Sequence, residues 1–331
     1  MMEAVEIEEK AENVTGWFFE DYIIAALADD PIKRYYAVYN LVSIENPAVT
    51  YFAYIPAPNT KRIYAEIVMN NTLNVLKKVS GRSKHFPRLK HHGLIKKLVF
   101  GIDGFSEEER DPEWTNRPFI IINHEHVLLS SMLAFSESGF LPVDLTLHAG
   151  LGMAYCLAAL HRAGFIHRYV TPHSFSYPVP LTLDLLSSRM IITDMSLCME
   201  YPYKNGPRVT VPFVGCERYS SFRTHFDREQ GPADDYISMI YVISEMINGK
   251  LPWRSMYDRN LIRDTKMDYK DTQDFKRLPR EIRKLYHDLI LKKMSWVDPE
   301  MVIEAIKASI LRKDPNKGYE LPKWLIMPSS N

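Results

Sequence analysis

The sequence predicts an α+β protein in two parts: a small strand-rich part with one helix, then a larger, mainly helical part. Three observations carry that expectation. The first third holds short runs of Tyr, Val, Ile and Phe bounded by turn residues. From about Pro142 onward, apolar residues recur at helical spacing. At 331 residues the chain is long enough for one large domain or two modest ones.

The elements follow in order. Residues 1–16 are acidic and lack the apolar core of a signal peptide, so a flexible lead-in is expected. Strands are expected at YYAVYNLV (35–42), AVTYFAYIP (48–56) and PFIIINHEH (118–126). Between the second and third, Ile67, Val68, Leu73, Leu76 and Val79 have roughly helical spacing over 63–79, with Gly81 as a stop. A charged insertion spans 82–117. Its residues 82–97 hold six Lys/Arg, three His and no acid, while 103–113 hold six acids and one Arg. Such a segment reads as a polarised docking loop or as a solvated loop neutralising itself, and the second reading is preferred. A helix then runs from an Asp144 N-cap to Gly164. Three more helices cover 233–249, 280–294 and 299–313, the first ended by Gly249 and Pro252.

Composition narrows the function classes. The 41 Lys+Arg balance the 41 Asp+Glu, so neither nucleic acid nor a membrane is an expected partner. The apolar stretch 141–165 is interrupted by Asp144, His148, His161 and Arg162, which fits a buried helix. Cys156, Cys198 and Cys216 are too few for a disulfide or zinc framework. His85, His91, His92, His124 and His126 have no zinc spacing, and no metal is expected. A reducing, cytoplasmic or nuclear setting follows.

The motifs sharpen the picture. GFIHRYVTPHSFSY (164–177) resembles the catalytic loop of protein kinases, His-Arg-Asp followed by Lys-Pro and Asn. IITDMSL (191–197) stands where the Asp-Phe-Gly metal motif belongs, and GCERYSS with HFDREQGPADDYISMIYVISEMINGKLPWR resembles the casein kinase I group, most of all the tau-tubulin kinases. The resemblance is strong over 119–253. It implies a bilobal kinase fold, with a small antiparallel-sheet lobe over 17–123, a helical lobe over 124–312, a junction near 122–126, and a tail 313–331 packed on the helical lobe.

Carried over by position, the resemblance separates what is kept from what is lost. The catalytic Asp is Tyr169, and a phenol with a reference pKa near ~10 is no carboxylate base at neutral pH. The loop lysine is Thr171, and the Asn that holds a second magnesium is Ser174. The strand lysine falls at Tyr54 and its helix partner at Thr72, with Glu66 and Lys61 as displaced alternatives. No glycine occurs between Gly16 and Gly81, so the phosphate-covering loop is replaced by ALADDPIKRYY, where Asp29 and Asp30 repel phosphate and Pro31 stiffens the turn. Kept are His167, Arg168 and Asp235, which brace the loop, and Asp194, the metal-binding carboxylate. Arg218 matches the arginine that receives an acidic or phosphorylated substrate group. Met195 and Ser196 replace Phe-Gly, and Cys216 replaces a Thr.

The expected function is therefore a pseudokinase: a protein-binding scaffold or allosteric regulator without strong ATP binding. Its expected partners are proteins, another kinase or a cytoskeletal assembly among them. One alternative is residual or unconventional chemistry, with Asp194 holding magnesium and ATP beside Glu66, Ser174 or a displaced lysine. Related to it is an ATP-binding switch without turnover. A third is a reader of phospho- or acidic peptides through Arg218, helped by Arg223 and the basic run 82–97.

Overall fold

The computed structural model describes residues 16–29, 36–56, 62–96, 98–100, 114–123, 126–134, 136, 139–208, 210–292 and 296–312. The acidic lead-in up to residue 15, Asp30, Pro31, Lys61, the acidic run 103–113, junction residues 124–125 and the tail 313–331 lie outside them. The chain divides into two compact units, Met1–Arg82 with Pro87–Glu125, and Ser83–Phe86 with His126–Asn331.

The first unit is an antiparallel sheet with one helix. Its strands are β1 (Trp17–Phe19), β2 (Tyr22–Asp29), β3 (Ala37–Ser43), β4 (Thr50–Ile55), β5 (Leu89–Leu94), β6 (Leu98–Phe100) and β7 (Pro118–Asn123), with helix α1 (Arg62–Val79) between β4 and β5. The strand order is β5-β7-β4-β3-β2-β1-β6. Its two ends, β5 and β6, are joined by residues 95–97 alone, a reach of about 13 Å at full extension. The sheet therefore curls back on itself. One face, read off with period two, carries Tyr22, Ile24, Ala37, Tyr39, Leu41, Tyr51, Ala53, Ile55, Phe119 and Ile121, packed with the fully buried Trp114. Trp114 meets the Tyr39 ring edge-on at 6.2 Å.

Helix α1 forms where its spacing predicts and contacts β7. Its buried residues are Ala65, Val68, Met69, Thr72, Val75, Leu76 and Val79, recurring at three or four residues. Ile67 was expected on that face but points out, 60% exposed, because it falls a quarter turn from Val68. Residues 82–97 are not simply a loop: Leu89–Leu94 is strand β5, hydrogen-bonded to β7.

The second unit contains β8 (His126–Leu128), α2 (Leu129–Ala134), α3 (Val143–Arg162), β9 (Phe165–Ile166), β10 (Phe175–Pro178), α4 (Leu183–Ser188), β11 (Ile191–Ile192), β12 (Met199–Glu200), α5 (Pro232–Asn248), α6 (Arg259–Met267), α7 (Gln273–Lys276), α8 (Arg280–Lys292) and α9 (Pro299–Leu311). Helix α3 packs against α4, α5 and α9. It is long and apolar enough to cross a membrane by composition, yet most of it is buried here, the signature of a core helix. A Cβ on Gly150 would lie 2.8 Å from Ile243 Cδ1, and one on Gly152 2.5 Å from the Leu186 carbonyl, so these glycines let α5 and α4 come close. The N-cap of α3 is Pro142, with Asp144 in the first turn and no side-chain cap bond; proline's fixed φ sets the entry two residues before the expected aspartate. Helix α5 ends as expected at Gly249, whose φ of +82° is left-handed and whose N–H bonds the Glu245 carbonyl.

Candidate functional site

The site is built at the junction of β9 with the loop that follows it. After Ile166 the chain turns at Arg168, a non-glycine residue in the left-handed region at φ 65°. Such a conformation costs on the order of 1 kcal/mol and persists only when its surroundings over-determine it. Here they do. One Asp235 oxygen, at the start of α5, accepts the His167 N–H at 2.7 Å and His161 Nε2–H at 2.8 Å. The other accepts the Arg168 N–H at 2.8 Å. Burial alone would raise the Asp235 carboxyl, but the hydrogen bond and charge of His161 and the field and N–H of His167 hold it below its ordinary value. The brace is thus an ionised buried carboxylate.

Burial lowers His167 below its ordinary value, against the pull of Asp235 and Asp194. Its Nδ1 accepts the Tyr169 N–H at 3.1 Å, and its ring stacks on Phe175 at 6.1 Å. The Arg168 side chain turns inward, with Nε donating to the Leu197 carbonyl at 2.8 Å.

The positions that differ from a working kinase loop form a closed network of their own. Tyr169 is half-buried. Ser174 Oγ donates to the Tyr169 carbonyl at 2.7 Å and lies 3.1 Å from Thr171 Oγ1, with both residues buried. Since the Ser174 proton is committed to the carbonyl, Thr171 must be the donor to Ser174. The Ser174 carbonyl in turn accepts the Thr193 N–H at 2.9 Å, which ties the loop to the segment carrying Asp194. Asp194 is buried, and its Oδ1 accepts the Ser196 N–H at 2.9 Å. Among the described residues no three His, Cys, Asp or Glu side chains come together as a metal would need. One Asp194 oxygen is thus taken by the Ser196 N–H, and the Ser174 hydroxyl is turned onto backbone.

The structure brings His167, Arg168, Tyr169, Thr171, Ser174, Asp194 and Asp235 together in the second unit. Tyr54 lies in the first unit, fully buried on β4 with its ring 5.0 Å from Tyr36. Thr72 is buried, its hydroxyl donating to the Val68 carbonyl at 2.9 Å, and Glu66 is exposed. Cys156 is buried in α3 with its thiol pushed up by burial, which makes it a packing residue. Cys216 is half-buried.

Arg218 sits apart, on the loop before α5. Arg218 approaches Glu245 at 4.0 Å, while the nearby Asp227 pairs with Arg259 at 2.8 Å. Glu245 is buried and also takes Arg254 at 3.0 Å and the Tyr219 hydroxyl. The Arg218 carbonyl accepts the Trp253 indole N–H at 2.7 Å.

Sequence reasoning missed what holds this loop. Lys266, on α6, is fully buried, and its Nζ donates to the carbonyls of Glu217 (2.5 Å) and Ser220 (2.7 Å) and to His225 Nε2 (3.0 Å). Trp253 and Tyr241 present ring faces to it at 5.3 and 5.5 Å. Burial takes Lys266 down to about 7, and burial with the neighbouring ammonium takes His225 down to about 3, leaving it a neutral acceptor. The available signal was a lysine four residues after Ile262, on the apolar face of α6.

Comparison with known proteins gives the same direction as these motifs. No protein-family profile matches the chain. It is 29% identical over 177 residues to a probable serine/threonine-protein kinase of Dictyostelium discoideum, covering 51% of this chain and 34% of that protein. It is 32% identical over 117 residues to a putative casein kinase I of Caenorhabditis elegans, covering 33% of each. It is 31% identical over 130 residues to an inactive tau-tubulin kinase of the same worm, covering 36% of this chain and 44% of that one. The chain spans about a third of the length of the first two relatives.

Proposed function

We propose that this chain, a casein kinase I-like member of the protein kinase superfamily with the α+β kinase fold, is a pseudokinase: a protein-binding scaffold or allosteric regulator that does not transfer phosphate. One observation carries the reading. The loop is held in place by the ionised Asp235 brace, while the positions that would act on a substrate are closed into a hydroxyl–carbonyl network of Thr171, Ser174 and Tyr169.

That network offers neither a carboxylate base nor a cation. A general base is typically worth about 10²–10⁴ in rate, and loss of charge stabilisation at the transferring phosphate costs at least as much. Such losses do not add, but no group in the network replaces either. A fold outlives its chemistry when its surfaces are in use. The name of one relative, an inactive tau-tubulin kinase, supports the same reading and favours protein partners of the kinase or cytoskeletal kind.

The test is the thermal unfolding midpoint of the purified protein with and without millimolar ATP and magnesium, beside a phosphate-transfer assay. No shift and no transfer are expected, because a ligand that binds only the native state raises the midpoint. A shift abolished by Asp194→Ala would establish a nucleotide switch instead. Transfer abolished by the same change would overturn the pseudokinase reading.

A further inference from the structure

The first unit carries several exposed cations that have no ion-pair partner among the described residues. Between Glu66 and Asp103 the chain has no acidic residue. Helix α1 ends on Lys77 and Lys78, a placement its negative end favours. Strand β5 then brings Lys90, His91 and His92 to the surface, flanked by the exposed Arg88 and Lys96. Among the described residues Lys77, Arg88, Lys90 and Lys96 have no ion-pair partner. Helix and strand meet at one patch: the Leu89 N–H at the start of β5 donates to Oγ of Ser80, the residue after α1, at 3.0 Å, and, after its own partial burial, Lys77 and then His91 lower His92.

The backbone beneath this patch is a sheet edge. Among the described residues β5 is the terminal strand and pairs on one side only, with β7. Its register passes from Leu89 opposite Ile122 to His91 opposite Ile121, so Lys90 occupies a bulge, and the strand ends on Leu94, 53% exposed. An edge strand offers a row of N–H and C=O groups to any extended chain, and lysines and bulges are the usual deterrents to indiscriminate pairing. The deterrent here has a sign. A second copy of β5 would set lysine and histidine against lysine and histidine, which is repulsive, whereas an acidic strand would set opposite charges across the new ladder.

We propose that the β5 edge, with Lys77 beside it, is a docking site for an extended acidic segment of a protein partner, which adds to the sheet as one more strand. This deepens the scaffold reading by giving it a surface, and rests on that reading for the partner being a protein.

The experiment uses the full chain and a fluorescent peptide of about a dozen residues alternating Glu with Val. Two control probes accompany it: the same peptide with proline at alternate Val positions, which keeps the charge but cannot pair as a strand, and a single-stranded RNA of equal charge. Binding is read by anisotropy at low and high salt.

The Glu/Val peptide is expected to bind and to weaken with salt. It should weaken about tenfold in the double change Lys77→Glu/Lys90→Glu, as two cross-strand charge pairs turn repulsive. Milder Lys90→Gln and Lys96→Gln changes should move it the same way. The proline peptide should lose most of its affinity. Equal binding by the proline peptide overturns strand addition. Absence of binding, indifference to the lysines, or an RNA that binds about tenfold tighter overturns the docking site. Each of these leaves the pseudokinase reading standing, just as phosphate transfer would overturn that reading and leave the docking site.

Discussion

Positive charge is used differently in the two units. In the second, Arg162, Arg208, Arg223, Arg254, Arg259 and Arg312 lie within ion-pair distance of Glu300, Glu229, Asp234, Glu245, Asp227 and Glu281. Three of those carboxylates, Glu229, Asp234 and Glu245, have side chains only 3% exposed, and a buried carboxylate without a partner is too costly to keep. In the first unit Lys77, Arg88, Lys90 and Lys96 stand at the surface with no such partner among the described residues. The lesson is one of purpose. Buried charge in the second unit holds loops in place, whereas the exposed charge grouped at the end of α1 and along β5 is available to something else. Changes to the former should therefore act on folding, and changes to the latter on binding.

The largest effect expected from this contrast is at Asp235. Asp235→Asn keeps the shape but removes the charge, and turns an NH₂ group toward one of three donors: the N–H groups of His167 and Arg168, or His161 Nε2–H. Breaking a buried, fully bonded charge typically costs about 3–5 kcal/mol, and the left-handed Arg168 would lose its support. Urea unfolding of the whole protein measures it. A cost under about 1 kcal/mol would mean the loop is held by packing and that the brace matters little.

Next in size is the pH response of His225. Unfolded, it takes up a proton near pH ~6.5; folded, only near about 3. Between those values the unfolded chain holds the extra proton, so this residue's contribution is full above ~6.5 and falls with pH by about 1.4 kcal/mol per unit. From pH 6.5 to 5 that is about 2 kcal/mol from this residue. His85, His148 and His167 are lowered as well, each first by burial, and add in the same direction. Unfolding titrations between pH 5 and 8 should show the slope, and His225→Asn should reduce it by about one proton. An unchanged slope in that variant would separate the Lys266–His225 contact from the acid sensitivity of the fold.

Legibility in the sequence followed how local each cause is. Helix α5 could be read from its apolar face and from Gly249, because both signals lie within the helix itself. The α+β division and the kinase resemblance were legible for a related reason: HRYVTPHS and the 231–253 run are contiguous motifs. Strand β2 was not read, since YIIAALAD is an apolar run that suits a helix as well as a strand. Strand β5 was hidden because LKHHGL has no alternation and becomes a strand through its pairing with β7. Glu245 and Lys266 were invisible for the same reason. Their partners Arg254 and Tyr219, or Glu217, Ser220 and His225, come from other segments, and no spacing within α5 or α6 announces them.

The smallest expected effect is the one that makes the contrast exact in sense. Lys77→Gln and Lys90→Gln, singly or together, should change unfolding stability by no more than about 0.5 kcal/mol. Both side chains are exposed, neither has an ion-pair partner among the described residues, and removal of Lys77 relieves its repulsion of a charge on His92. A small gain in stability is the physically favoured sign, since like charges on one patch oppose folding. That outcome, together with weakened binding of the acidic peptide, is what a surface kept for a partner should give, because the charge is then retained at a slight cost to the fold. A loss above about 1 kcal/mol would instead place these lysines among the structural charges of the kind that hold Glu245 and Asp234, and the distinction between the two units would collapse.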